Sequence, residues 1–375
     1  MLLDIERQGE CLMTVLRQAQ YAWCPRASYA VFFIVCLVTY SLPVAAKPRI
    51  VILATGGTIA GEQPDSSQPG YKAGSLSIDA ILKAVPGLDQ IADFQGEQVA
   101  NIGSQDMSDE VWLKLARSAN RTLASGDVDG VVVTHGTDTL EETAYFLNLT
   151  VNSDKPVVLV GSMRPATAIS ADGPMNIYNS VVVASMPEAR GRGVMALMND
   201  DLHYAAEITK TDTTRLNSMQ SPNRGRAGTC DTGKCTLFSP SVKRHTTNSE
   251  FELPDDLEAL PNVAIIYAHA NLDDTLIKAA AQAGAKGIVV AGVGDGNMTA
   301  PALAALGALA KKGMVVVRSS RVGNGIVKRN VEVDDDKLGF VAARELNPQK
   351  ARILLQLALL TTSNPTEIQR MFDEY

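Results

Sequence analysis

The chain has 375 residues, enough for two domains with full cores, and with 46% hydrophobic and 20% charged residues it has the composition of an ordinary soluble globular protein. The formal net charge of −7 argues against a nucleic-acid partner, which would need a basic face. No long Lys/Arg run, sustained heptad or solenoid-period repeat is present, which excludes the corresponding coiled-coil and repeat architectures.

The first 46 residues read as a targeting segment. Arg7, Arg17 and Arg26 precede an apolar run from Ala30 to Leu42, and Pro43-Val44-Ala45-Ala46 supplies the small residues a signal peptidase reads. Cleavage is expected after Ala46. The competing reading is an uncleaved anchor, but the run is short for a bilayer span of ~20 residues. The n-region is long, and Met13 is an alternative start. Cleavage leaves Cys230 and Cys235 as the cysteines of the mature chain. In an oxidising compartment this pair could close a small surface loop or stay as two thiols.

After the signal, β-branched runs alternate with helical patterns. Ile50-Val51-Ile52-Leu53 leads into Ala54-Thr55-Gly56-Gly57-Thr58, and Val131-Val132-Val133 leads into Thr134-His135-Gly136-Thr137-Asp138-Thr139. These read as buried parallel strands with ligand-binding turns at their carboxyl ends. Between them Val111, Leu115, Ala119 and Leu123 form one helical stripe, with Ser108 as a possible cap. Further strands are expected at Val157–Val160 and Val194–Met198. From Pro222 to Pro261 the composition turns to Pro, Gly, Ser, Thr and charge, the signature of a hairpin or loop and an interdomain linker. A second α/β series follows, with strands at Val263–Tyr267, Gly287–Val290 and Met314–Val317. Asn347-Pro348 and Asn364-Pro365 each place an N-cap before a first-turn proline, and Glu367 could complete a capping box. The expected architecture is α/β: a signal peptide at 1–46, a larger N-terminal domain at 47–240, a linker at 241–261 and a smaller C-terminal domain at 262–375.

Taken singly, the motifs leave their chemistry open. Thr58 after two glycines is either a nucleophile needing a base and oriented donors or part of a phosphate-binding turn. Neither dinucleotide nor P-loop spacing is present. Asp138 beside Thr137 could hold a ligand amine and pair with a lysine. Lys210, among hydroxyls in Thr209-Lys210-Thr211-Asp212-Thr213-Thr214, is the candidate, although locally it reads as a solvated surface lysine. His135 reads as a buried structural histidine, since four histidines without paired spacing do not make a metal centre. Ser104-Gln105-Asp106 could bind a zwitterion, and Gly292-Val293-Gly294-Asp295-Gly296-Asn297 is a glycine-rich strand end with the wrong spacing for a dinucleotide.

Together these segments resemble the bacterial exported (type II) L-asparaginases, from about Lys47 to Tyr375. The likeness rests on Ile52–Gly61, Ile102–Met107, Thr134–Thr139 and Glu141–Leu147, then Val160–Pro165, Ser170–Pro174, Arg318–Val322 and Leu346–Arg352, all in the family's order. The resemblance implies an asparaginase-like pair of α/β domains and hydrolysis of L-asparagine to L-aspartate and ammonia through a threonine acyl-enzyme. Thr58 then corresponds to the nucleophile and Tyr71 to its partner in the segment that follows. Thr137, Asp138 and Lys210 correspond to the second threonine group. Gly57, Ser104, Gln105, Asp138 and Ser162 correspond to substrate-binding positions, Ser162 standing beside the amide-binding carbonyl. Asn297 and Glu332 correspond to residues that complete the site across an intimate dimer, two of which make a homotetramer. No cofactor or metal, no nucleic acid and no membrane anchor after cleavage are implied, and the location is periplasmic or secreted. Gln105 and Asn297 stand where glutaminase-asparaginases often carry Glu and Ser, which favours L-asparagine with L-glutamine as a weaker substrate. Asp295 departs from the asparagine often found in that loop. Retention of both threonines, Tyr71 and Lys210 disfavours a non-catalytic amino-acid binder.

Overall fold

A computed structural model of the protein describes residues 46–65 and 70–375. The expected signal segment, apart from Ala46, lies outside the described residues. Among the described residues, no helix is long and apolar enough to cross a membrane.

The first sheet has eight strands: β1 (Arg49–Gly56), β2 (Asp93–Ile102), β3 (Gly130–Thr134), β4 (Val157–Val160), β5 (Val194–Met198), β6 (Asp201–Tyr204), and, after the short ribbon of β7 (Thr209–Lys210) and β8 (Met219–Gln220), β9 (Gly228–Asp231) and β10 (Lys234–Leu237). Their order across the sheet is β10-β9-β6-β5-β4-β3-β1-β2. β1 to β5 are parallel, and β6, β9 and β10 extend the sheet antiparallel. Alternation along β1 sends Val51 and Leu53 to one face and Ile50 and Ile52 to the other. On the first face they meet Trp112, Leu115 and Ala119 of the helix Asp109–Ala124 and Phe146 of the helix Leu140–Thr150. On the second they meet Ile78 and Ile81 of the helix Ile78–Lys83 and Ile177 and Val181 of the helix Gly173–Ser185. A strand covered on both faces must be apolar at every position, which is why β1, β3, β4 and β5 read as unbroken runs.

The second sheet is parallel, in the order β11 (Val263–Tyr267), β12 (Gly287–Gly292), β13 (Val315–Ser320) and β14 (Phe340–Ala342). One apolar cluster runs from Leu53 and Val133 of the first sheet to Val289 and Val317 of the second, with Leu354 and Leu355 of the helix Pro348–Ala358 between. The two α/β domains therefore share part of their core.

The Pro222–Pro261 stretch contains the hairpin β9–β10, whose turn residues Thr232 and Gly233 both have positive φ (48° and 80°), the geometry that matches strand twist. Cys230 and Cys235 face each other across this hairpin and form a disulfide, which resolves the alternative left open by the sequence. The Asn179 side-chain oxygen accepts from the Gly233 amide at 2.8 Å, so the turn docks on the helix Gly173–Ser185. Beyond the hairpin, Arg117 donates to the carbonyls of Pro254 and Leu257 at 3.1 and 2.7 Å.

Ser108, Asn347 and Asn364 cap their helices by accepting from the amides of Val111, Lys350 and Thr366. The expected capping box at Glu367 does not form. Its carboxylate instead accepts from Arg370 at 2.6 and 2.9 Å, and the Asn364 amide donates to the Thr362 hydroxyl. A charged donor one turn along outcompetes the backbone amide for the same carboxylate.

Candidate active site

The parallel strands follow the order β2-β1-β3-β4-β5, so chain progression across the sheet reverses between β1 and β3. In open α/β sheets the crevice at such a reversal, outside the carboxyl ends of the strands, is where ligands bind. Thr58 follows β1 and Thr137 follows β3.

The two turns touch through their main chains. Gly57 has φ 81° and ψ −171°, and a Cβ there would lie 2.2 Å from the Gly136 nitrogen. Only glycine satisfies both the conformation and the contact. A Cβ on Gly136 would in turn meet the Ser104 hydroxyl at 2.5 Å. Ser104 lies in the turn after β2, and the Gly57 amide donates to the Ile102 carbonyl at 2.8 Å. The Ser104 hydroxyl accepts from the Asp138 amide at 3.1 Å, while its carbonyl accepts from the Thr139 hydroxyl at 2.7 Å. Three consecutive strand ends are thus locked into one floor.

Each threonine has its own polar partner. Thr58 Oγ1 lies 2.9 Å from the Tyr71 hydroxyl. Tyr71 is brought there by a returning segment pinned to the first turn: Glu62 and Lys72 exchange backbone hydrogen bonds, Gly74 donates to Gly57, and Leu76 donates to Ala60. Thr58 is 8% exposed and Tyr71 44%, so the pair sits at the boundary between interior and solvent. In the second group, the Lys210 ammonium donates to Thr137 Oγ1 at 2.9 Å and to Asp138 Oδ1 at 2.6 Å. The local reading of Lys210 as a solvated surface residue therefore fails: its side chain is 18% exposed, because the β7–β8 ribbon folds back toward the end of β3. Nothing within a few residues of Lys210 could have shown that.

The remaining expected residues separate into two sets. Ser104 is buried in the floor, and Gln105 beside it is exposed, its amide donating to Asp106 at 3.3 Å. Ser162 is fully buried and donates to the Arg164 carbonyl at 2.7 Å. That turn is held by Asp172, which accepts from the amides of Met163 and Arg164, and by Asn176, which donates to the Gly161 carbonyl. Asn297 and Glu332 instead meet each other at the end of the second sheet, Asn297 donating to Glu332 at 2.6 Å. Among the described residues of one chain, neither is hydrogen-bonded to the threonine turns.

Two further buried supports brace the loops that carry these residues. His135 is fully buried and hydrogen-bonded, as its sequence reading as a structural histidine expects. Trp112 donates to the Thr143 hydroxyl at 2.8 Å, Thr143 lies 2.8 Å from His135 Nε2, and Nδ1 lies 2.7 Å from the Gly136 carbonyl. The Gly136 carbonyl can only accept, which assigns the imidazole proton to Nδ1 and leaves Nε2 of the neutral ring to accept from the Thr143 hydroxyl. Burial pushes the His135 pKa down to about 4. The ring is a neutral brace for the Gly136 carbonyl. The second support is Arg318, 1% exposed, which forks onto the buried Asp335 at 2.6 and 2.7 Å and donates to the carbonyls of Asp295 and Lys328. It ties together the loops that carry Asn297 and Glu332.

Burial of ionisable groups gives the fold a definite acid response. His203, like His135, is pushed down to about 4, whereas burial and the neighbouring Glu141 carboxylate push Glu142 up to about 7. For the histidines the native pKa lies below the unfolded value of about 6.5, so their contribution is complete above pH 6.5 and is lost as pH falls toward 4. For Glu142 the native state holds a proton that the unfolded chain releases, so its contribution grows as pH falls from 7 and offsets one histidine. Glu142→Gln should therefore steepen the loss of stability between pH 6.5 and 4.5 by about one proton, or roughly 1.4 kcal/mol per pH unit. Urea denaturation at several pH values reads this directly, and an unchanged slope would contradict it.

Known proteins share this two-domain fold. Residues 49–243 match the family model described as Asparaginase, N-terminal, and residues 262–372 match the Glutaminase/Asparaginase C-terminal domain. The chain belongs to the asparaginase family. It is 53% identical over 331 residues to a probable periplasmic L-asparaginase of Haemophilus influenzae, covering 88% of this chain and 94% of that protein. It is 49% identical over 330 residues to L-asparaginase 2 of Escherichia coli, with the same coverage of both chains. A glutaminase-asparaginase of Pseudomonas fluorescens is 47% identical over 345 residues, 89% of this chain and 95% of that one. The crystal structure of a probable cytoplasmic L-asparaginase from Campylobacter jejuni superposes with a TM-score of 0.85 at 49% identity, covering 88% of this chain and all of that one. The two-domain α/β architecture is thus that of the asparaginase family, and the enzyme class is hydrolase.

Proposed function

We propose that the protein hydrolyses L-asparagine to L-aspartate and ammonia through a threonyl acyl-enzyme, with L-glutamine as a slower substrate. The observation that carries this reading is the pair Thr58–Tyr71 beside the group Thr137–Asp138–Lys210 at one strand-order reversal. A mere binding pocket has no need of two hydroxyls each held against a proton-handling partner.

In this reading Ser104, Gln105 and Asp138 fix the charged end of the amino acid, which sets the side-chain amide between the two threonines. Thr58 Oγ attacks the amide carbon as its proton is relayed through the Tyr71 hydroxyl, and main-chain amides of the two turns hold the oxyanion. The C–N bond breaks as the nitrogen takes the relayed proton and leaves as ammonia. Water then attacks the ester, with Thr137, Asp138 and Lys210 handling its proton, and aspartate departs. Ser162 orients the turn beside the amide. Asn297 and Glu332 complete the site from a neighbouring subunit in a homotetramer; their pairing at the end of the second sheet, apart from the threonine turns, supports this. Export with cleavage after Ala46 is supported by the amino-terminal sequence and by the Cys230–Cys235 disulfide, which suits an oxidising compartment.

Ammonia release by the purified mature protein tests the reading. The expected result is a kcat/KM for L-asparagine clearly above that for L-glutamine, and no release from either amide would overturn it.

A further inference from the structure

Besides Arg318, the described residues hold a second buried cation that the mechanism leaves unused. Lys350, 2% exposed, lies in the first turn of the helix Pro348–Ala358, on the side of the chain that follows the second sheet. Its ammonium donates to the Ala206 carbonyl at 3.0 Å and to the Ile208 carbonyl, and lies 4.0 Å from the buried Glu141 carboxylate. Two neighbours act with it. The Asn347 side-chain amide donates to Glu141 at 3.1 Å and to the Thr209 hydroxyl at 3.3 Å, and the Gln349 amide donates to Glu141 at 2.7 Å.

The two points gripped are not arbitrary. Ala206, Ile208 and Thr209 lead directly into Lys210. Glu141 stands in the first turn of the helix that begins two residues after Asp138. Lys210 must reach Thr137 and Asp138 across a sequence gap of more than seventy residues, and its short β7–β8 ribbon has only two residues per strand to define its position. A lone ammonium in the interior is costly, and it persists where carbonyls and a carboxylate are arranged around it. Burial pushes the Lys350 ammonium below its ordinary value, while Glu141 and Glu207 act in the opposite sense.

The geometry points to Lys350 as a positioning residue that, with Asn347 and Gln349, sets the distance between Lys210 and the Thr137–Asp138 pair. This rests on the proposed reading of Lys210 as a working member of the second threonine group. The C-terminal domain thus acts on the chemistry of its own chain through the clasp, separately from any contribution by Asn297 and Glu332. Misplacing a reacting group by about 1 Å can reduce rate on the order of 100-fold. Asp138 is also anchored outside the clasp, its amide donating to the Ser104 hydroxyl, so ground-state binding of the substrate's charged end should change little.

The test compares three variants of the full mature protein with L-asparagine as substrate. Lys350→Met should lower kcat about 10- to 100-fold with KM changed less than about threefold. Because this variant strands Glu141 and can fail to fold, Lys350→Met/Glu141→Gln removes the buried charges together. That double variant is expected to melt close to the unsubstituted protein and still lack most of kcat, since the carbonyls of Ala206 and Ile208 have no donor. Asn347→Ser keeps a helix-capping hydroxyl but loses the amide donor to Thr209, and should lower kcat in the same direction with KM unchanged. Unchanged kcat in the folded variants, or kcat that recovers fully with melting temperature in the double variant, would overturn the inference. Lys210→Met is the separate arm: near-normal turnover there would overturn the reading of the second threonine group itself.

Discussion

Thr58→Ala is expected to lose about 10⁴-fold or more of L-asparagine turnover while folding normally. The argument for a clean loss is geometric. Thr58 Oγ1 makes its hydrogen bond to the Tyr71 hydroxyl, and Tyr71 is exposed enough for water to replace the lost partner. Stability should change by no more than about 1 kcal/mol. The floor proposed to hold the charged end of the substrate does not involve the Thr58 side chain, so Ser104 and Asp138 keep their arrangement. Affinity for L-asparagine, measured by calorimetry on the inactive variant, should stay within a few-fold of the KM of the active enzyme. Thr137→Ala should inactivate comparably but less cleanly, because Lys210 loses one of its two partners. Near-normal turnover of Thr58→Ala would remove it from the nucleophile's role.

The second large effect is structural, and it lies in the other domain. Asp335→Ala leaves the Arg318 guanidinium buried without its counter-ion, a change that costs about 3–5 kcal/mol. In a domain of this size that lowers the melting temperature by roughly 10–20 °C. The loss is not confined to the pair. Arg318 also holds the carbonyls of Asp295 and Lys328, and Asp335 accepts from the Asn330 amide at 2.9 Å, so the two loops leading to Asn297 and Glu332 lose a common anchor. A charge-free replacement of both partners, Arg318→Met with Asp335→Leu, separates the two consequences. Much of the stability should return, because the uncompensated charge is gone. The loops should remain unanchored, and kcat/KM should stay depressed. Thermal melts together with steady-state kinetics on the two variants decide this; full recovery of kcat/KM would show that the loops hold their place without Arg318.

What could be seen in the sequence followed from local physics. β1 and β3 are covered on both faces, so their apolar runs and the glycine-threonine turns after them stand out. β2 does not: as an edge strand, with most of its residues partly or fully exposed, Asp93–Ile102 shows neither an apolar run nor a clean alternation. The local reading of Lys210 was wrong because its partners come from a distant strand end. The Cys230–Cys235 pair was left open because spacing alone does not say that two residues face each other across a hairpin. Glu367 fitted a capping pattern, but the pattern does not weigh the competing Arg370. Arg318 and His135 were visible as residues, while the carbonyls they brace could be known only once the strand ends were assembled. The roles of Tyr71, Asn297 and Glu332 came from resemblance, since no local feature marks them.

The contact between Gly57 and Gly136 carries a consequence for anyone trying to retune this enzyme. Because a Cβ on Gly57 would strike the Gly136 backbone, and one on Gly136 would strike the Ser104 side chain and the Gly57 Cα, neither position has room for a side chain. In a library randomised at both positions, nearly every active clone should read glycine at both, and no compensating second change should rescue either. Useful diversity then lies in side chains hung from the floor, such as Gln105, whose amide is free to be exchanged without moving a backbone atom. The route to new amide selectivity in this chain runs through the furnishings of the pocket and leaves its masonry alone.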